Sequence, residues 1–570
     1  MNERHFNLVT DPWIKVITDQ SGTIKTVSLT DLFAHAQDYQ QLGGETAAQD
    51  LAVLRLLLAI LQTVYSRFNA DDEAYDWLEV DEQTLQATLI DDFDSDDLVT
   101  TWSELYSAGH FSEAVSKYLQ RYADRFDFFG PHAFYQVTAE EYDRFVPAKK
   151  RVATGSGTVA IKQINRTISE SNNSPALFAP KTDEFKNQLD LPELVRWIIM
   201  YQNYTGVTDK TKIETDDKFS VGMGWLYRLN PVYARGNSLF ETLMLNLVLV
   251  NKDDVDDEYH AQRPVWEFGE TSNYIQERKR QIPPDNIAEL YTAWSRLLHI
   301  EWDDDGVPTI FSAGIPPFNP ANLFVEPMTT WRYDPKAKPP EFRPERLRKE
   351  NMDVAMWRHF GRYVDTNREK KGDGHQPGVV TWLQQLQEKE LIPTNKMVTL
   401  QAVAVVSDGN ATSQSPAAEV TDDITIDAGV LFDTVGAIRW PVRIEDQINL
   451  TQDLGRFYWR FINRVSRIRG FDDTNLANAE GAKFYSRLNE PFKNWLASLR
   501  PNDDREGKIA QWQAQLRDLV IDSARAFSAA PSPRDISGTV VSGDKGERVD
   551  NIFLAFNSLV YSVNKRLKEG

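Results

Sequence analysis

Two stretches of this 570-residue chain concentrate side chains that can bind phosphate. Lysine and arginine carry positive charge and donate hydrogen bonds to phosphate oxygens, so clusters of them predict contact with a nucleic-acid backbone. The first stretch, 143–166, has a single acid among the cations Arg144, Lys149, Lys150, Arg151, Lys162 and Arg166. The second, 332–349, has three acids among the cations Arg332, Lys336, Lys338, Arg343, Arg346, Arg348 and Lys349. A solvated face is the ordinary interpretation of such runs, so each needs support from the rest of the chain.

The residue types that carry enzyme chemistry show no recognisable spacing. The eight histidines are scattered, and none belongs to an HxH or HExxH pattern. The chain contains no cysteine, which excludes disulfides, cysteine-ligated zinc and thiol nucleophiles. The segment GTVVSGDKG at 538–546 fails the phosphate-loop pattern because Asp544 stands where a lysine is required. We therefore predict a protein that is not an enzyme and has no catalytic residue, metal site or cofactor.

The overall charge limits the kind of nucleic-acid binding that this chain can perform. A net charge of −21 and a pI of about 5.0 argue against a free-standing, nonspecific binder. The acids are concentrated in the runs DDFDSDD, DDVDDE and WDDDG, which leaves the basic stretches as separate surfaces. The lack of cysteine, of a signal-peptide pattern and of an uninterrupted membrane-spanning apolar run predicts a cytoplasmic protein without membrane contact.

The hydrophobic pattern predicts an α+β protein in two parts. Residues 1–440 mix helical and strand patterns and are interpreted as a large mixed domain. Residues 441–570 show only helical periodicity, and four segments with short connections are typical of a four-helix bundle. The predicted bundle helices are 445–469, 479–499, 505–529 and 549–567.

Within the mixed domain, the pattern predicts the elements that position the basic stretches. Residues 6–30 form a predicted hairpin, in which Asp11 and Pro12 make a turn anchored by Trp13. The apolar segment 47–68 is a predicted core helix, and the aromatic segment 126–137 a predicted strand–turn–strand. From about 138 to 175 the periodicity vanishes, which indicates a loop that is either functional or disordered. Residues 400–426 form a predicted hairpin with the polar tip SDGNATSQS at 407–415.

Several segments along the chain form an ordered set of motifs: FNLVTDPWIKV, LAVLRLLLAILQ, FDFFGPHAFYQV, SPALFAP, ARGNSLFETLMLNLV, RPVWE, EPMTTWR and MWRHF. Taken in this order, they resemble the large-subunit (CasA) family of the type I-E CRISPR surveillance complex, Cascade. The resemblance extends over essentially the whole chain, including the terminal bundle.

The resemblance implies a noncatalytic subunit that recognises the protospacer-adjacent motif in double-stranded DNA. It further implies that the subunit promotes duplex opening and R-loop formation, and helps recruit a helicase–nuclease. The implied partners are the other Cascade protein subunits, CRISPR guide RNA, double-stranded target DNA and the helicase–nuclease effector. Two alternatives remain open: a scaffold subunit without direct DNA readout, and a metal-dependent nucleic-acid-processing enzyme that uses the acidic runs.

The resemblance also implies roles for individual residues. The first DNA- and RNA-contacting loop of the family is similar to 146–167, which implies nucleic-acid contacts by Lys149, Lys150, Arg151, Lys162 and Arg166. The glycine loop that approaches the minor groove corresponds to Ser171, Asn172 and Asn173. The lack of glycine in that stretch implies a less intimate backbone approach and a different motif preference.

Two further implied contacts stay ambiguous. The family's wedge hairpin, which inserts under the first base pair, corresponds to the tip at 407–415. Spacing from Glu419 and Asp423 favours Gln414 as the wedge, whereas the Asn-Ala dipeptide favours Asn410 and Ala411. The family's minor-groove lysine has no counterpart before EPMTTWR, so either Lys336 or Lys338 substitutes for it or the contact is lost.

Overall fold

The computed structural model describes most of the chain. The described residues are 4–155, 157–164, 189–206, 210–219, 222–251, 259–304, 306–364, 374–407, 416–434, 436, 439–543 and 546–569. They contain helices α1–α18 and strands β1–β15 together with short 3₁₀ turns, so the predicted α+β fold class is confirmed.

The helices include the long elements predicted from the sequence. In chain order they are α1 Leu29–Ala34, α2 Ala47–Tyr65, α3 Ser95–Ala108, α4 Glu113–Arg121, α5 Ala139–Phe145, α6 Ile161–Ile164, α7 Leu191–Tyr204, α8 Leu239–Asn246, α9 Thr271–Lys279, α10 Ile287–Thr292, α11 Phe360–Tyr363, α12 Gly378–Glu388, α13 Ala428–Leu431, α14 Trp440–Ile468, α15 Asn475–Ser498, α16 Arg505–Phe527, α17 Pro533–Ser537 and α18 Ile552–Glu569.

The strands form small sheets. In chain order they are β1 Ile14–Ile17, β2 Ile24–Val27, β3 Gln41–Leu42, β4 Leu78–Val80, β5 Ala87–Ile90, β6 Val232–Arg235, β7 Arg296–Trp302, β8 Pro308–Gly314, β9 Trp331–Asp334, β10 Glu341–Pro344, β11 Gly374–His375, β12 Met397–Ser407, β13 Pro416–Asp427, β14 Thr539–Gly543 and β15 Gly546–Asp550. The three-stranded sheets have the orders β2-β1-β3, β10-β9-β11 and β13-β12-β6, and the pairs β4-β5, β7-β8 and β14-β15 stand as hairpins.

The chain divides into two compact units. The first comprises Met1–Met352, Gly372–Leu386 and Leu400–Asp422. The second comprises Asp353–Lys371, Gln387–Thr399 and Asp423–Gly570.

Helix α2 forms the centre of the first unit. Thr46 caps its N-terminus by accepting a hydrogen bond from Gln49 N, and no glycine or proline interrupts the helix. By length and composition α2 could cross a membrane, but 89% of its most apolar window is buried inside the fold. It packs against α7 and α10, which confirms the predicted core helix.

The predicted N-terminal hairpin is confirmed. β1 pairs antiparallel with β2, and Ser28 caps α1 by accepting a hydrogen bond from Asp31 N. The Trp13 indole nitrogen donates to the Leu8 carbonyl at 2.9 Å, and the Trp13 side chain is fully buried. The tryptophan therefore fixes the Asp-Pro turn to the core.

The predicted strand–turn–strand at 126–137 is wrong. Phe126 ends a 3₁₀ turn, and the following residues form successive turns, one of them closed by a hydrogen bond from Phe134 N to Asp127 O at 2.9 Å. The Gln136 amide donates to the Phe128 carbonyl, and Tyr135 has a positive φ of 54°. Phe126, Phe128, Phe134 and Tyr135 are thus buried from a loop. Backbone groups of neighbouring segments satisfy the loop's own, since Phe128 N donates to Phe6 O and Val137 N to Leu298 O, both at 2.8 Å.

A four-helix bundle forms the main part of the second unit, as predicted. Helix α14 packs against α15, α16 and α18. The Trp512 ring meets Phe492 edge-on at 5.0 Å in the bundle core. Between α16 and α18 lie the short helix α17 and the β14-β15 hairpin, which the sequence pattern did not predict. The segment 538–546 that imitates a phosphate loop follows α17 and contains strand β14.

Candidate nucleic-acid interface

Lys149, Lys150 and Arg151 of the first basic stretch lie on the short segment 147–151, which is anchored at both ends. Helix α5 precedes it and begins with a capping box, in which Thr138 and Glu141 satisfy each other's backbone N–H groups. Phe145 and Val146 are buried before the segment, and Val152 is buried after it. Val152 N also donates to Asp143 Oδ1 at 2.7 Å. The described part of the expected loop at 138–175 therefore consists of short helical turns.

Three cations project from this anchored segment. Lys149 and Arg151 are exposed, and Lys150 is half-buried. Throughout the described part of the chain, no carboxylate forms an ion pair with any of the three. Their charges are thus available to an external anion, which is the property that the sequence interpretation requires.

The segment then clamps onto strand β8. Thr158 N donates to the Ile310 carbonyl at 2.9 Å, and the Thr158 hydroxyl donates to Ser312 O at 3.0 Å. Gly157 has a φ of +63°, and a Cβ there would lie 3.0 Å from Ile310 O, so the close approach requires glycine. Lys162 lies in α6, whereas Arg166, Ser171, Asn172 and Asn173 lie outside the described residues.

The predicted hairpin at 400–426 is confirmed as strands β12 and β13. β12 is the middle strand of its sheet, between β13 and β6. The Tyr204 hydroxyl donates to the Val403 carbonyl at 3.2 Å, and Val403 N donates to Pro231 O at 3.1 Å. The residues between the strands, 408–415, include Asn410, Ala411 and Gln414 and lie outside the described residues.

Glu419 ties the outgoing strand of this hairpin to the core helix. Its carboxylate accepts hydrogen bonds from Ala47 N at 3.0 Å and Ala48 N at 3.1 Å, the free N–H groups at the start of α2. The positive end of the helix dipole favours a carboxylate at this position. Sequence reasoning used Glu419 only as a spacing marker, because nothing local reveals a partner more than 370 residues away.

Two half-buried carboxylates, Asp50 and Glu45, lie beside this anchor. Asp50, on the first turn of α2, accepts a hydrogen bond from Gly44 N at 2.8 Å. Burial, with the nearby charges of Glu45 and Glu419, raises the pKa of Asp50 to about 7. Burial opposes ionisation of Glu45 as well, but hydrogen bonds from Arg196 and Lys15 outweigh it and lower the Glu45 pKa to about 2. The two acids therefore titrate far apart.

The second basic stretch forms another hairpin. Strands β9 and β10 pair antiparallel, and Lys336 and Lys338 lie exposed in the connection between them. Asp334 Oδ1 accepts a hydrogen bond from Lys336 N at 3.1 Å and shapes the turn. In the described residues, no hydrogen bond or ion pair joins these lysines to Lys149, Lys150 or Arg151.

The segments that carry the family resemblance contain structural residues. Glu326, in EPMTTWR, forms a fully buried bidentate pair with Arg55, at 2.9 and 3.0 Å. Glu267, in RPVWE, pairs with Arg67 at 2.8 and 3.0 Å and accepts a hydrogen bond from the Tyr118 hydroxyl. These motifs position the fold and do not themselves form a site.

The described residues contain no group of three or more His, Asp or Glu side chains arranged to hold a metal ion. In this part of the chain, the alternative of a metal-dependent nucleic-acid-processing enzyme therefore gains no support from a metal-binding cluster.

Comparison with known proteins identifies the family. The family model described as CRISPR-associated protein Cse1 matches residues 7–523, most of the chain. The chain belongs to the Cse1 family. A curated CasA/Cse1 protein of Thermus thermophilus is 22% identical over 336 residues, covering 58% of this chain and 56% of the relative. The alignment therefore spans little more than half the length of that Cse1 relative.

Solved structures of Cse1 proteins share the fold. Thermobifida fusca Cse1 superposes with a TM-score of 0.77 at 22% identity, covering 99% of this chain and 97% of the other. Cse1 from Acidimicrobium ferrooxidans gives a TM-score of 0.72 at 19% identity, with 100% and 99% coverage. A chain from a structure entitled CRISPR RNA-guided surveillance complex gives 0.64 at 14% identity, with 98% and 99% coverage. The predicted architecture is thus that of known Cse1 structures.

Proposed function

We propose that this chain is the noncatalytic large subunit of a cytoplasmic, RNA-guided antiviral surveillance complex. In that complex it recognises a short flanking motif in double-stranded DNA and promotes duplex opening, so that guide RNA pairs with one strand. It also helps recruit a helicase–nuclease. Membership of the Cse1 family supports assembly with other Cascade subunits and guide RNA.

The anchored hairpin β12-β13 is the observation that carries this proposal. Opening a duplex requires unstacking a base step at a cost of a few kcal/mol, so the inserting element must not yield. β12 is held between two strands, and β13 is held by Glu419 on the N-terminus of α2. A polar tip on so firmly held a hairpin suits a wedge.

The anchored cations account for binding of the nucleic-acid backbone in this proposal. Lys149, Lys150 and Arg151 carry charge that no described carboxylate neutralises, and their segment is fixed at both ends. Such side chains bind phosphates without reading sequence. In this proposal they hold the nucleic-acid backbone while the tip and the minor-groove segment 171–173 read and open the duplex.

The first experiment compares the guide-loaded complex with and without this chain on duplexes that differ only in the flanking motif. We expect the chain to add affinity for certain motifs alone, and Gln414→Ala or Asn410→Ala to slow strand opening, followed by 2-aminopurine fluorescence. Gln120→Ala, at an exposed position on α4, is the matched control. Equal motif preference without the chain would leave only a scaffold role, and metal-dependent cleavage by the isolated chain would indicate an enzyme.

A further inference from the structure

Arginines from two distant segments meet beside the β9-β10 hairpin. Beyond β10 the chain runs alongside 228–229, where Leu347 N donates to Arg228 O at 2.9 Å. Leu229 and Arg346 form a β-bridge. The backbone thus fixes Arg228 next to the positions that carry Arg346 and Arg348.

The charges of this group are poorly neutralised. Arg343 pairs with Glu341 at 2.6 Å and with Asp334 at 3.7 Å, but it stands directly opposite Arg332 across the hairpin, where like charges are destabilising. Within the described residues, neither Arg346 nor Arg348 forms an ion pair. Burial and the positive charges of the neighbouring arginines lower the pKa of Arg346. A bound anion would remove this repulsion.

Arg228 has a constrained backbone beside this group. Its φ is +71°, a left-handed conformation that non-glycine residues rarely adopt and that concentrates at ligand-binding positions. Its guanidinium lies 5.2 Å from the centre of the Tyr227 ring. Sequence reasoning missed Arg228, since it lies about 100 residues before the basic stretch.

The arginine group lies at the base of the proposed wedge. Arg228 Nη2 donates to the Ser407 hydroxyl at 3.4 Å, and Ser407 is the last residue of β12. The tip residues 408–415 follow immediately. In the proposed function, a strand of DNA separated at the tip passes this edge of the hairpin.

We propose that Arg228, Arg346 and Arg348 form a phosphate-binding site for a DNA strand that leaves the duplex at the β12-β13 hairpin. This inference rests on the proposed function, because the hairpin must open DNA for a free strand to be present. Guanidinium groups match phosphate oxygens in two-pronged hydrogen bonds, which lysine does not reproduce. A phosphate clamp carries no sequence information, so it stabilises opened DNA equally for every accepted motif.

The test uses the complete guide-loaded complex with the double variant Arg346→Gln/Arg348→Gln. We expect the affinity for target DNA to fall about tenfold, and the slope of log K against log salt to decrease by about 1–2. The double variant Arg346→Lys/Arg348→Lys keeps both charges, and its affinity should lie between those of the wild type and the glutamine variant. Arg280→Gln/Arg467→Gln changes the charge equally at exposed positions elsewhere and should have little effect.

Neutral methylphosphonate linkages locate the contact. One such linkage is placed at a time along each strand near the flanking motif. At one or two positions it should weaken DNA binding by the wild-type complex, and at those positions it should not change binding by the double variant. The site would be overturned if, at every position, the affinity lost through the linkage simply added to the affinity lost in the double variant. It would also be overturned if the double variant assembled more weakly with guide RNA in the absence of DNA. If the wild-type complex bound all flanking motifs equally, the proposed function itself would be refuted. The two failures are therefore distinguishable.

Discussion

Glu326 and Arg55 form an ion pair from which water is excluded, with both side chains fully buried. The Arg55 guanidinium also lies 3.9 Å from the centre of the Tyr291 ring, and Glu326 accepts a further hydrogen bond from Met328 N. Removing one partner of such a pair leaves an uncompensated charge, which costs about 3–5 kcal/mol. The EPMTTWR segment, which carries part of the family resemblance, therefore serves folding and is separate from the residues of the proposed DNA contacts.

Asp50 provides a pH test at the same scale. Its pKa is about 7 in the folded chain and near its ordinary value of 3.8 when unfolded. Between these values the folded state binds the additional proton, so the Asp50 contribution to stability falls as the pH rises from about 4 to 7. Asp50→Asn retains the oxygen that accepts from Gly44 N and removes the ionisation.

We expect Asp50→Asn to flatten this part of the stability curve and to raise the free energy of unfolding at pH 8, by on the order of a few kcal/mol. Denaturant titrations at pH 5 and pH 8 measure the difference. Unchanged pH dependence in the variant would contradict the assignment of Asp50 as the titrating group.

At the scale of elements, Glu419 links strand β13 to helix α2. The link consists of hydrogen bonds from two N–H groups to one carboxylate, placed where the helix dipole favours negative charge. The wedge proposal makes this contact a positioning device, since the tip acts against DNA only as firmly as its strands are held.

Glu419→Ala should therefore separate opening from folding. Loss of a helix cap costs about 0.5–2 kcal/mol, which this large unit tolerates. We expect slower strand opening at nearly unchanged affinity for pre-opened DNA, measured by stopped-flow fluorescence on paired and bubbled targets. Glu82→Ala, an exposed site, is the control. Equal losses on both targets would show that Glu419 acts on binding instead.

The elements also show how far the sequence could lead. Helix α2 and the β12-β13 hairpin follow local rules of periodicity and alternation, and both were predicted. The strands expected at 126–137 failed because β-rich aromatic composition cannot distinguish a strand from a buried loop. Thr138 and Glu141 have the spacing of a capping box, a local pattern from which the start of α5 could have been predicted. Glu419 and Arg228 act through distant partners, which no local pattern encodes.

At the scale of the whole molecule, a net charge of −21 sets the background against which a few cations must work. Long-range repulsion discourages contact with arbitrary DNA, and salt screens it within about 10 Å at 0.1 M. Local contacts by fixed cations can still be favourable once guide RNA and neighbouring subunits bring DNA close. The charge distribution thus suits a subunit of an assembly better than an independent binder.

Neutralising the first basic segment should reveal this balance. We expect Lys149→Gln/Lys150→Gln/Arg151→Gln to reduce the salt slope of target binding by the complex by about 2–3, with the motif ranking preserved. Filter binding between 50 and 200 mM salt provides the measurement. Arg280→Gln/Arg460→Gln/Arg467→Gln carries the same charge change at exposed positions elsewhere and serves as the control. If the triple variant and its control gave the same salt slope, Lys149, Lys150 and Arg151 would not be part of the interface.

The attachment of β12 and β13 also bears on how such a protein evolves. The bonds that hold the hairpin involve Val403 and Glu419, whereas the residues between the strands are 408–415. We therefore expect substitutions at 408–415 to leave the bonds of Val403 and Glu419 in place. Relatives that share this support and differ at 408–415 should form a natural series for exchange, in which transplanting those eight residues transfers the opening behaviour of the donor.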